Sequence, residues 1–381
     1  MEKKLSKIRL IFDPSYEGHH SYYLNLLVNE KDDNFYYLHP ELIKRIKIPA
    51  EKADHVLEIK PEQLGLGFVP THNIRSSIFK RYHYNYKLWK SVKNVCKKHG
   101  ISHVVFIEID SFVIFLLSVF FPGIYLSGIY YKPTDFRTPG AFKERIKKVI
   151  LFLLLKKKFI EKIFLLDEFF ILAGKNKSNA KLHFLPDPAP RISGEMDDTL
   201  KNLFGRPMFS MLFFGYIEER KGILPALDSL MLLPDGIKDT RLILAGIIDP
   251  ELLEAITEKT ALMIGKIEMI ILNRFITETE LNTLFRHADL LLAPYLNHVG
   301  SSGLINLAAA YGKPVITQQS QLIGDLMARY GFGLTVNTSQ PAEIARAILE
   351  IKNNGFFIDP VKSATYLSAH REENFVCTLL T

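Results

Sequence analysis

Cysteine is nearly absent: Cys96 and Cys377 are the only two in 381 residues, and they stand far apart. A disulfide framework is excluded, and no metal-ligand spacing is present. Reduced thiols in a cytoplasmic protein are expected. The chain also lacks a long unbroken apolar run. Its best candidate, SFVIFLLSVFFPGIYLSGIYY, is cut by Pro122-Gly123 after about ten apolar residues, short of the ~20 that a spanning helix needs. A buried helix, a turn and a buried strand account for it. The opening MEKKLSKIRLIFD is basic but runs straight into a strand pattern, so no secretory leader is expected. No short-period repeat or low-complexity tract occurs.

What is present is the composition of a folded protein. Hydrophobic residues make up 48% and charged residues 23%, which excludes a disordered chain. The length predicts two or three domains. The net charge of +7 favours anionic partners such as nucleotides or phospholipid surfaces. Nucleic acid is disfavoured, because basic residues and aromatics interleave in no stripe beyond one helix.

Strand and helix patterns alternate along the chain. In the first part, strands are expected at Ile8 to Asp13, Phe35 to Leu38, Ala53 to Ile59, His103 to Ile109, residues 124–131, Ile163 to Leu166 and Leu182 to Leu185. Helices are expected at Ser21 to Asn29, Ser76 to His99, residues 112–121 and Phe142 to Lys162. In the helix before Gly100, one apolar face would be Phe79, Tyr82, Tyr86, Trp89, Val92 and Val95. Residues 187–206 are polar and rich in proline and glycine, which marks a domain boundary. A second alternating set follows, from the strand Ser210 to Phe214 to a helix at Pro341 to Asn353. The tail, Ser363 to Leu380, reads as one amphipathic helix. Alternation of this kind predicts parallel sheets with crossover helices. The expected fold is α/β: two tandem Rossmann-like, doubly wound domains facing a cleft. Their ligands would lie at the carboxyl ends of the strands.

The second half carries an ordered motif series. FFGYIEERKGI (Phe213 to Ile223) is a strand, a glycine turn and a Lys-Gly pair opening a helix. RLILAGI follows at Arg241 to Ile247, and ILNRFITETELNTLFRHADLLLAPY runs from Ile271 to Tyr295. GSSGLINLAAAYGKPVI closes the series from Gly300. The series resembles the nucleotide-sugar-binding domain of glycosyltransferases of the two-Rossmann (GT-B) architecture, in particular family 4, and covers about residues 210–350. In the N-terminal half the resemblance rests on EGHH, the end of FIEID and FLPDP. It implies an acceptor-binding domain at 1–190, a nucleotide-sugar-binding domain at 205–360, and a helix at 361–381 returning toward the first domain.

Each candidate residue also has a physical reading. Gly215 ends a strand and permits close backbone approach. Lys221, with Arg220 beside it, precedes Gly222 at a helix start, where an ammonium and backbone N–H groups can meet a diphosphate. The competing reading is two solvated surface cations. Gly300, Ser301, Ser302 and Gly303 begin a helix and can donate to phosphate oxygens, or form a plain serine cap. Arg274 and Phe275 follow a strand. There the resemblance implies a nucleobase contact, Arg274 or Arg220 replacing a second phosphate clamp; packing in the core is the alternative for Phe275. The resemblance also implies two glutamates, one before the loop and one eight positions later. Those positions hold Val299 and Leu307. Asn306 is the neighbouring candidate for the ribose, and His298 and Tyr295 are candidates for the sugar.

In the N-terminal half, Glu17, Gly18, His19 and His20 occupy the first strand-to-helix turn, and either histidine can titrate near neutrality. Glu108 ends a buried strand and is a candidate base or orienter; Asp110 there equally suits a helix cap. Tyr131 and Lys132 end the next strand on the acceptor side. Catalytic roles thus fall to Glu108, His20 and His19.

The implied activity is transfer of a hexose from a UDP- or GDP-sugar to a glycan or lipid-linked acceptor, with retention and no obligatory cofactor or metal. The basic helix at 142–162 has lysines and arginines around an apolar middle. It is either an ordinary crossover helix or a peripheral contact with the inner face of the membrane. A non-catalytic nucleotide or sugar binder and a nucleotide-sugar epimerase of the same fold are the competing functions.

Overall fold

The computed structural model describes residues 7–16, 18–60, 78–119, 122–131, 142–172, 180–192, 194–234, 237 and 239–381. The chain divides into two compact units, Met1–Leu185 with Val376–Thr381, and Pro186–Phe375.

The first unit is built on seven strands: β1 (Arg9–Asp13), β2 (Phe35–Leu38), β3 (Val56–Glu58), β4 (His103–Phe106), β5 (Tyr125–Tyr130), β6 (Ile160–Leu165) and β7 (Leu182–Phe184). Their order is β3-β2-β1-β4-β5-β6-β7, and every pairing is parallel. The second unit holds six: β8 (Phe209–Phe214), β9 (Thr240–Ala245), β10 (Glu268–Leu272), β11 (Leu290–Ala293), β12 (Val315–Gln318) and β13 (Gly333–Val336). They run β10-β9-β8-β11-β12-β13, again all parallel. Both sheets are doubly wound. Each reverses its winding once, between β1 and β4 and between β8 and β11, and such a reversal opens a crevice at the strand ends. The strands are almost wholly apolar, as sheets covered on both faces require. Leu10, Phe12, Val104 and Phe106 sit in the first core, and Met211, Phe213, Leu242 and Leu244 in the second.

Several elements differ from their sequence expectation. The strand expected at 53–59 is a 3₁₀ turn, Ala50–His55, followed by β3. The helix expected at 142–162 ends at Leu155. Pairing with β5 draws Ile160 onward into β6, which leaves Lys156, Lys157 and Lys158 in the connecting turn. The helix Ile78–His99 buries Asn85, Leu88, Trp89, Val92 and Cys96; Tyr82 and Tyr86 are exposed, and so is Phe79. The tail is two helices, Pro360–Ala369 and Glu372–Leu380. They part at His370, whose carbonyl accepts from Ala189 N (2.8 Å) instead of continuing a helical ladder.

Candidate functional site

In the second unit the site grows from the ends of β8 and β11. Gly215 follows β8 at φ 106°, a region only glycine enters freely. A Cβ there would fall 2.5 Å from Lys221 Nζ. The missing side chain lets the ammonium lie over the strand end, where it donates to Phe214 O at 3.3 Å. Lys221 ends the short turn Glu219–Lys221. Gly222 (φ 76°) then starts the helix Ile223–Met231. A Cβ on Gly222 would meet Pro294 O at 1.9 Å, so this turn packs backbone to backbone against the end of β11. Burial, and then the Arg220 guanidinium, push the Lys221 ammonium down to about 8.

The loop leaving β11 is held along its length. Leu296 N donates to Arg220 O at 2.8 Å. Tyr295 places its hydroxyl 2.6 Å from Ser302 Oγ, and its carbonyl accepts from Thr338 Oγ1 at 2.6 Å. His298 stacks on Tyr295 with centroids 4.9 Å apart. Its Nε2 donates to Ser301 O at 2.9 Å, and its Nδ1 accepts from Arg220, whose other nitrogen pairs with Glu218. Burial pushes the imidazole down to about 4, and the Arg220 and Lys221 cations add to this against the bond to Ser301. The ring is therefore neutral at physiological pH. The loop delivers the chain into the helix Gly303–Tyr311, whose first residues follow Ser302. The Ser302 side chain makes no cap bond to that helix, since its hydroxyl belongs to the pair with Tyr295.

The remaining candidates are engaged within the fold. His298 and Tyr295 brace the loop, through polar atoms bonded to Arg220, Ser301, Ser302 and Thr338. Asn306 is buried. Its amide donates to Asp187 O at 3.3 Å and its Oδ1 accepts from Tyr366 at 2.5 Å. Arg274 is bound to an acid. It forms a two-pronged pair with Glu280 at 2.6 and 2.8 Å, and that pair holds Glu280 down at about 2. Glu280 in turn closes the capping box on Thr277. Phe275, by contrast, is 76% exposed and is no core residue. Tyr216, Ile247 and Phe275 follow the ends of the adjacent strands β8, β9 and β10, and all three are exposed.

In the first unit the corresponding position lies between β1 and β4. Asp13 ends β1 fully buried. Its Oδ1 accepts from Ser15 N at 3.0 Å, and its Oδ2 lies 2.7 Å from His20 Nδ1. His20 Nε2 stands 3.9 Å from Glu108 Oε2, two residues past β4. With Nδ1–H donated to Asp13, Nε2 is the basic nitrogen of His20. The Tyr131 ring lies 6.2 Å from the His20 ring. Its N–H donates to Asp110 Oδ2 at 2.9 Å, so Asp110 ties down the end of β5 instead of capping the helix after it. Gly18 (φ 67°) makes the turn. His19 is exposed, stacks on Tyr23 at 6.0 Å and lies outside the His20 cluster. Glu17 and Lys132 lie outside the described residues. Asp13 was missed by sequence reasoning. A lone acid closing an apolar strand seven residues before a histidine was the available signal.

Two doubly wound parallel sheets, each with a polar cluster at its reversal point, define the two-Rossmann GT-B fold. Residues 209–354 match the family model described as Glycosyl transferases group 1, so the second unit carries a domain of that kind. Among solved structures, the Anabaena protein Alr3699/HepE in complex with UDP is similar over 98% of both chains, at 14% identity and a TM-score of 0.66. A glycosyltransferase from Rickettsia africae is similar at 13% identity and a TM-score of 0.67, over 98% of this chain and 97% of that one. A putative UDP-N-acetylglucosamine 2-epimerase from Listeria monocytogenes is similar at 12% identity and 0.63, over 98% and 94%. At such identities the likeness is one of fold. No curated protein sequence matches the chain.

The low Lys221 value carries a stability consequence. An unfolded lysine holds its proton up to about its ordinary 10.5, the folded one only to about 8. Between those values the unfolded state binds more protons, so stability rises with pH across that window. Denaturant unfolding over this range should show the rise in the wild type, and Lys221→Met should flatten it. An unchanged slope in the variant would place the titration elsewhere.

Proposed function

We propose that this protein transfers a sugar from a nucleotide-sugar donor to an acceptor hydroxyl. The observation that carries the reading is Lys221, half-buried over a strand-end glycine beside a braced Gly-Ser-Ser-Gly loop at the reversal point of the second sheet. The group 1 domain supports the same reading. Lys221, Ser301 and the N–H groups around Gly303 meet the diphosphate, where charge develops as the sugar leaves. Phe275, with Tyr216 and Ile247, offers an apolar shelf for the base. UDP is the first nucleotide to test, since it is the one bound by the Anabaena protein.

The first unit supplies the acceptor side. The acceptor oxygen bonds to the anomeric carbon on the same face from which the β-phosphate oxygen departs, so the configuration is kept as one bond replaces the other. The hydroxyl proton passes to His20 Nε2, and Asp13 and Glu108 stabilise the cation that forms. Transfer of a hexose with retention, and without an obligatory metal, completes the proposal, and the anomeric configuration of the product checks retention. A putative epimerase shares the fold; release of a free epimer instead of a glycoside would favour that chemistry.

The helix Phe142–Leu155 exposes Ile146, Val149 and Leu153 along one stripe, with Arg145, Lys147 and Lys148 also exposed. This supports peripheral binding to an anionic bilayer, through which a lipid-linked acceptor is reached. Among the described residues no helix is long and apolar enough to cross a membrane.

Three outcomes are expected. Lys221→Ala should weaken UDP binding in calorimetry by roughly 10- to 100-fold, the loss of a charge-assisted bond. Unchanged affinity would remove Lys221 from the phosphate site. His20→Ala should lower transfer by about 10²–10⁴ with UDP affinity retained, and Asp13→Asn should lower it less; full activity in His20→Ala would dismiss the base. The protein should sediment with phosphatidylglycerol vesicles and not with phosphatidylcholine vesicles. Replacing Ile146, Val149 and Leu153 by serine should abolish this, and equal sedimentation of that variant would refute the membrane contact.

A further inference from the structure

Gln318 ends β12, next to β11 in the sheet, and its side chain is buried. Its Oε1 accepts from His298 N at 2.9 Å. Its Nε2 donates to His298 O at 2.5 Å and to Ser320 O at 2.9 Å. One amide thus pairs with both main-chain groups of His298, as a neighbouring strand would, beyond the point where β11 has ended. The loop needs such a clamp. Asn297, the residue before His298, is held at φ 55°, and Gln321, at the start of the next helix, at φ 65°. Neither is glycine, and such conformations persist where the surrounding structure enforces them. With the main chain of His298 fixed, its ring is aimed at Ser301 O and Arg220. That ring sets both the entry to the Gly300–Gly303 turn and the guanidinium next to Lys221.

We infer that Gln318 is a positioning residue for diphosphate binding: its side chain holds the loop Leu296–Ser302 ready for the phosphates before any donor arrives. The inference rests on the donor reading above. A hydrogen-bonding amide is required. Methionine has similar length and fills the space but makes none of the three bonds. Glutamate keeps the acceptor and turns the donor into a second acceptor facing the carbonyls of His298 and Ser320.

The test uses the full chain with UDP, GDP and ADP as probes. Gln318→Met should keep the wild-type circular dichroism spectrum yet bind the preferred diphosphate roughly tenfold or more weakly. Gln318→Glu should bind more weakly still. In turnover the donor KM should rise while kcat at saturation stays within about twofold, the pattern of lost ground-state binding. Affinity in Gln318→Met equal to wild type would overturn the assignment. A wild-type protein that takes up none of the three diphosphates would overturn the donor reading, and this assignment with it. Hydrogen exchange of the unliganded wild type gives a check that needs no variant to fold: the amides of Leu296 and His298, bonded to Arg220 O and Gln318 Oε1, should exchange slowly without nucleotide. Free exchange there would show that the loop is not held, and would overturn the inference.

Discussion

The contact on which the second unit depends is between two stretches of backbone. Gly222 lies so close to the Pro294 carbonyl that no side chain fits between them. This contact joins the turn after β8 to the end of β11 across the one place where the sheet reverses its winding. Without it, Lys221 and the loop leading to Gly303 would belong to separate crossovers. With it, an ammonium and a helix start become neighbours, and an anion can meet both.

Around that contact, most polar side chains serve the protein itself. Tyr295, Ser302 and His298 brace one loop, Arg274 and Glu280 lock one turn, and Asn306, Tyr366 and His370 hold the segment at Asp187. Buried polar groups without partners are costly, so each is drawn into a bond within the fold. In the proposed donor site this leaves the Lys221 ammonium, the backbone at Gly300–Gly303 and the exposed Phe275 for a ligand. Val299 and Leu307 stand where the family resemblance implies acids, so the proposal concerns the diphosphate more than any particular sugar.

The first unit repeats the layout with other chemistry. Its reversal point gathers Asp13, His20 and Glu108. A carboxylate on Nδ1 orients the ring, and Glu108 stands 3.9 Å from Nε2. One fold plan, used twice, places Lys221 and the Gly300–Gly303 turn at one reversal point and Asp13, His20 and Glu108 at the other. The strand ends bring loops together, and the residues on those loops decide the chemistry.

The amino-acid sequence by itself determined the two alternating strand–helix series, the parallel sheets and the placement of Gly215, Lys221 and the Gly-Ser-Ser-Gly turn at strand ends and helix starts. These follow from apolar periodicity and from glycines at strand ends, both local properties. It did not reveal Asp13 or Gln318, nor did it separate His20 from His19. It offered Arg274, His298 and Asn306 as ligand contacts, and the structure engages each of them within the fold. Whether a polar side chain faces a ligand or a neighbour depends on which partners the sheet order brings within about 3 Å. Asn306 meets Tyr366, and His298 meets Gln318, across 60 and 20 residues of chain. Only the tertiary structure decides such pairings, because a hydrogen bond is satisfied by proximity in space and leaves no periodicity in the sequence.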